Sequence, residues 1–219
     1  MADTVAQLVA QVLEEGQFDA TNAQALRWLT VRQRQMCRRS KSYRKTLSLG
    51  PTAQGVATYA LPDEVVEILM VEVGGYVYGH LRHQDPPEGA FGWVWIGGTG
   101  GLAGRQDSSA GVQQLWLYPT PDAGGATPPP GATISVWAVC RPPDLSETSP
   151  EGLVIPGEYM DALVSGAIAT ALLRTEDRPD LASNHETIFL NACTELLQQS
   201  NRRYRGVGPA QIRVVGVNA

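Results

Sequence analysis

The spacing of hydrophobic residues changes twice along the chain, and the changes divide it into three. Near the start, Val5, Leu8, Val9, Val12 and Leu13 recur at i, i+3, i+4, i+7 and i+8. That spacing gathers apolar side chains on one face of a helix, and Gly16 ends the run. A second helix is expected from Asp19 or Thr21, both suited to capping, to about Lys41. Its apolar face holds Leu26, Leu29 and Met36, with Trp28 and Val31 alongside. The pattern then shortens. Segments 56–62, 65–73, 76–82, 91–96, 112–119 and 132–139 are rich in β-branched and aromatic residues and read as strands. Gly74-Gly75 between two of them is a two-residue hairpin signal. Helical spacing returns at "IPGEYMDALVSGAIATALL" (155–173), where Pro156 suits a first turn. Ser165, Gly166, Ala167 and Ala169 keep that helix slim enough for another to approach closely. "DRPDL" (177–181) is expected to break the chain. Ser183-Asn184-His185-Glu186 then fits a capping box, followed by an apolar stripe of Ile188, Phe189, Ala192, Cys193, Leu196 and Leu197.

Residues 50–150 hold 16 of the 23 glycines and 12 of the 15 prolines, a density that forbids long helices there. The expected fold is therefore α+β. N- and C-terminal helices (1–49 and 151–205) pack as a small helical bundle. A central antiparallel β-sandwich or barrel-like insertion spans 50–150, and an extended tail spans 206–219.

Composition narrows the setting. The 219 residues, 43% hydrophobic and 18% charged, suffice for one sizeable domain or two small ones. No apolar run approaches the ~18 residues of a membrane-spanning helix, so no membrane partner is expected. The opening "MADTVAQLVAQVLEEG" lacks the basic start and cleavage site of a signal peptide. Cys37, Cys140 and Cys193 are too widely spaced for a zinc site or a disulfide framework, which fits assembly in a reducing cytoplasm.

Candidate chemistry is thin. Gly98-Thr99-Gly100-Gly101-Leu102-Ala103 matches the G-x-G-x-x-A phosphate fingerprint. A dinucleotide site also needs a helix after the loop, and "GRQDSSAGVQQLWLYP" runs into another strand. The stretch reads as a loop between strands. His80, His83 and Asp85 are too few, and too divided between strand faces, for a metal site. No nucleophile elbow or paired catalytic carboxylates stand out. No catalytic, cofactor-binding or metal residue is assigned, and no cofactor is expected.

Charge is the sharper signal. The net charge is -5, yet no acid lies between Asp19 and Asp63. Arg27, Arg32, Arg34, Arg38, Arg39, Lys41, Arg44 and Lys45 fill that interval with 8 of the 17 basic residues. The ordinary meaning of such a run is a solvated helix face. The functional one is a patch, Arg32 to Lys45, that meets DNA phosphates or an acidic neighbouring subunit.

The order of the pieces carries a resemblance. Two helices lead to "YALPDEVVEILMVEV", then to "LWLYPTPDAG" and "ISVWAVCRPPDL", and "IPGEYMDALVSGAIATALL" opens two further helices. This resembles the head–tail adaptor (connector) proteins of tailed bacteriophages, including the gatekeeper or tail-tube A type of the neck. The long aromatic, glycine-rich stretch at 91–111 departs from the compact pattern. The resemblance implies a non-enzymatic virion protein assembled in the host bacterial cytoplasm. It implies a ring, most often of twelve copies, under the portal protein, with double-stranded DNA passing through the lumen. It also implies a next neck or tail protein as partner, and a C-terminal tail whose Ile212, Arg213, Val214 and Val217 dock on a partner. The competing reading is a receptor- or carbohydrate-binding β-module using Trp93, Trp95, Trp116 and Trp137, most of which are expected to fill the core.

Overall fold

The computed structural model describes residues 4–81, 92–96, 113–122, 129–148, 152–175 and 178–205. The chain divides into two compact units, with boundaries at Tyr43/Arg44 and Cys140/Arg141. Helices make the first and strands the second.

In the helical unit, α1 (Val5–Gly16) and α2 (Asn22–Ser40) each begin with a capping box. Thr21 accepts from the Gln24 amide at 3.3 Å, and the Gln24 side chain accepts from the Thr21 amide at 2.9 Å. Thr4 and Gln7 repeat the arrangement. Each box satisfies two amides that a helix start otherwise leaves unpaired. A 3₁₀ turn at Gly157–Tyr159 leads into α3 (Met160–Thr175). The last helix, α4, runs Pro179–Arg205. The Ser183–Glu186 motif therefore lies inside a helix and starts nothing. Pro179 does, because its fixed φ suits the first helical position, and Asp180 supports the positive helix end.

α3 is apolar on nearly every side, and it packs against α1, α2 and α4 together. A helix of that kind has to be enclosed. Its small residues make the enclosure tight. A Cβ built on Gly166 would stand 2.5 Å from Phe189 Cδ2, so the Phe189 ring of α4 occupies the space a side chain would need. Gln33 of α2 is buried and paired at both ends of its amide: it donates to the Gly152 carbonyl at 2.8 Å and accepts from the Val154 amide at 3.2 Å. That ties α2 to the segment leading into α3.

The β unit is one mixed, barrel-like seven-stranded sheet in the order β1-β7-β3-β4-β5-β6-β2. Its strands are β1 (Arg44–Pro51), β2 (Thr58–Ala60), β3 (Val65–Val73), β4 (Tyr76–His80), β5 (Gly92–Ile96), β6 (Gln114–Tyr118) and β7 (Thr133–Cys140). β1 has no counterpart among the strands expected from sequence. The expected hairpin is present: Gly74 and Gly75 both take positive φ between β3 and β4, as a tight turn of that hand requires. One pairing departs from the antiparallel expectation, since β4 and β5 are parallel. The chain between them is long enough to cross back, where a short hairpin loop is not. Gly92 allows the approach, because a Cβ there would meet the Gly79 carbonyl at 2.6 Å. In β3, register shifts between Val65 and Glu67 and between Ile68 and Met70 bring Val65, Ile68 and Val71 inward at every third position. Two bulges have rephased the usual alternation.

Replacing Gly166 by Ala gains up to ~1 kcal/mol in helix propensity but forces a buried ring to move, a cost of about 1–3 kcal/mol. The net expectation is a loss of about 0–2 kcal/mol in chemical denaturation, the difference of those two effects. A Gly166→Ala protein more stable than the parent would contradict the close approach.

Candidate functional site

The basic residues of 27–45 separate into interior and exterior sets. α2 carries five arginines and no acid. Arg32, only 6% exposed, is held inside the helical unit. Its Nε donates to Thr170 Oγ1 at 2.6 Å, and its Nη1 donates to Gln35 Oε1 at 3.0 Å and to Glu186 Oε1 at 3.1 Å. Nη2 lies 2.7 Å from Glu186 Oε2, and the guanidinium sits 4.9 Å over the Phe189 ring. One side chain thus joins α2 to α3 and α4 through charge-assisted hydrogen bonds and a cation–π contact. Arg34 pairs with Asp144. Lys41 closes α2 in the left-handed conformation. In the β unit, Arg44 lies 5.7 Å over the Trp137 ring, and Lys45 Nζ is 3.1 Å from Glu64 Oε2.

Arg27, Arg38 and Arg39 remain exposed. Arg38 and Arg39 also occupy the last turn of α2, where cations favour the negative helix end. The tail residues Ile212, Arg213, Val214 and Val217 lie outside the described residues. So do His83, Asp85 and the glycine stretch 97–104.

Apolar side chains also reach the surface. Val31 is 47% exposed on α2, Leu173 59% on α3, and Leu181 38% and Ile188 50% on α4. The sequence pattern put Ile188 in the buried stripe. The buried stripe is instead Ala182, Phe189, Ala192, Cys193 and Leu196, and Ile188, about 100° around the helix from Phe189, falls outside it. Tyr76 and Val77 are exposed just after the Gly74-Gly75 turn.

Of the four tryptophans in the β unit, only Trp93 is in the core, where its Nε1 donates to the Tyr78 carbonyl at 3.1 Å and its ring packs 4.6 Å from that of His80. Trp95, Trp116 and Trp137 are half-buried, and Arg44 covers Trp137. The expectation that most would be core residues is therefore corrected: the core takes Leu115 and Leu117 from β6 and Ile134, Val136 and Ala138 from β7, and the strand alternation turns Trp116 and Trp137 the other way.

Among the described residues no group of three or more His, Cys, Asp or Glu side chains could hold a metal ion, and no helix is long and apolar enough to cross a membrane. All three cysteines are free and buried. Burial pushes the Cys37 thiol up to about 12. It pushes Cys193 up to about 11, against the pull of Arg39.

The SU10 adaptor protein family model matches residues 3–213. No curated protein matches the chain.

Two predictions follow from the geometry. Arg32→Ala strands Glu186 and leaves Thr170 without its donor, which costs about 3 kcal/mol, whereas Arg38→Ala stays within about 0.5 kcal/mol. Urea titration of the two variants reads the contrast, and equal stabilities would contradict the interior role of Arg32. A neutral thiol is a poor nucleophile, so native protein at pH 8 should react with a thiol reagent only on unfolding. Rapid release by folded protein would show that Cys37 and Cys193 are open.

Proposed function

This chain belongs to the SU10 adaptor protein family, whose role is structural, and from that premise we propose that it is a neck protein of a tailed bacteriophage. In this reading copies form a ring under the portal, twelve being the number the resemblance implies. The ring extends the channel through which double-stranded DNA passes, and it joins the capsid to the next neck or tail protein. The protein assembles in the host cytoplasm and stays in the virion, in a layer of gatekeeper or tail-tube A type. The observation that carries the reading is the family match over 3–213, together with the helix–β–helix order.

A cyclic ring needs two different complementary patches on each copy. Exposed arginines on α2 supply one of them, or they line the lumen where phosphates pass. The tail, with Ile212, Arg213, Val214 and Val217, docks on the portal or the following component by adding a strand to its sheet.

Negative-stain imaging of the protein, alone and mixed with its portal, tests the reading. Rings, or a new layer beneath the portal, are expected. A monomer that ignores the portal at every salt concentration would overturn it. Two variants refine it. Deleting residues 207–219 should leave a folded protein that docks poorly, so unchanged docking would remove the tail from the contact. Arg38→Glu with Arg39→Glu should weaken assembly or DNA retention while leaving the melting temperature in place. A lowered melting temperature with assembly intact would return these arginines to a purely structural role.

A further inference from the structure

The helical unit has two outer flanks of different chemistry. Arg32 points from α2 to Glu186 of α4. At about 100° per residue, Val31, Arg27 and Arg38 all turn 100° or more away from Arg32, onto the outer side of α2. By the same count Ile188 turns about 160° from Glu186, and Leu181 about 140°. They lie on the side of α4 that faces away from α2. The α2 flank is cationic with Val31 at its centre. The α4 flank carries Leu181 and Ile188 seven residues apart, with exposed Glu195 a further seven along and exposed Asp180 at the other end. Leu173, at the end of α3, is exposed as well.

The two helices also run in the same direction. Arg32 meets Glu186, and seven residues further along both helices the charge of Arg39 is felt at Cys193. Adjacent members of a cyclic ring are related by a rotation, and in a ring of many copies that rotation is small. α2 of one copy therefore meets α4 of the next roughly parallel. The spacings then agree, because Arg38 follows Val31 by seven residues and Glu195 follows Ile188 by seven.

We propose that these flanks are the two halves of one head-to-tail contact between copies of this chain. Val31 packs against Ile188 and Leu181, and Arg38 faces Glu195. The apolar residues supply most of the affinity. The exposed charge pair sets direction and register, since such pairs add little attraction of their own. The assignment rests on the ring reading above and names the surface that closes the ring.

The test joins the two flanks chemically. A Val31→Cys, Ile188→Cys protein is treated at high concentration with a short bismaleimide, while the three natural cysteines stay protected by burial. Head-to-tail pairing yields a ladder of dimers, trimers and larger products, whereas either single-cysteine variant stops at a dimer. Adding Arg38→Glu should cut the products beyond dimer about fivefold. Adding Glu195→Arg to that protein should restore them. No ladder, or a ladder indifferent to Arg38→Glu, overturns the contact. Rings in the portal mixture with no ladder would leave the ring reading standing and remove only this surface. Neither rings nor ladder would remove both.

Discussion

A helix that is apolar on nearly every side has to be surrounded, and most of the helical unit is arranged to surround α3. α1, α2 and α4 each give it a face, and its glycine and alanines let those helices come close. The closeness leaves little room for water, so the polar groups trapped nearby must satisfy one another. Arg32 does most of this. It reaches a hydroxyl on α3 and a carboxylate on α4, and it lies on the ring that fills the Gly166 gap. Packing and polar pairing are thus one arrangement, because the Phe189 ring is both the neighbour of Gly166 and the surface beneath the guanidinium.

The same constraint explains what the sequence made legible. Helical periodicity marked α1 and α2, and the density of small residues in α3 anticipated the close approach of α4. Six of the seven strands stood out through β-branched and aromatic content. β1 did not, because its basic start, Arg44-Lys45, continues a charged run that looks like the end of a helix. The start of α4 was misplaced because a capping box is a short and common pattern, whereas Pro179 acts through a backbone angle that periodicity does not register. Ile188 precedes Phe189 by one residue and so stands about 100° around the helix from it, outside the stripe that Phe189, Ala192, Cys193 and Leu196 bury. The parallel pairing of β4 and β5 depends on where a long connection returns, and local pattern has nothing to say about that.

The arginines show the limit of reading a charge run as a unit. Spacing alone treats Arg32, Arg34, Arg38 and Arg39 as one patch. In the folded chain they perform different tasks, since rotation about the helix sends Arg32 inward, gives Arg34 a carboxylate partner and leaves Arg38 and Arg39 at the surface. A structural adaptor has no reacting atoms around which to gather its residues. Its functional surface is what remains after the core has taken the side chains it needs, and that remainder can be identified only once the core is known.

The β unit opens and closes with strands that lie side by side, for Arg44 at its beginning is the register partner of Val139 near its end. Whatever length of chain is threaded between those two points, the helical unit receives it through the span of a single strand pair. Lengthening a loop far inside then adds only the slowly growing entropy of a larger closed circuit, and it does not alter the separation of the ends. A module joined in this way can be lengthened or shortened between the same two chain ends.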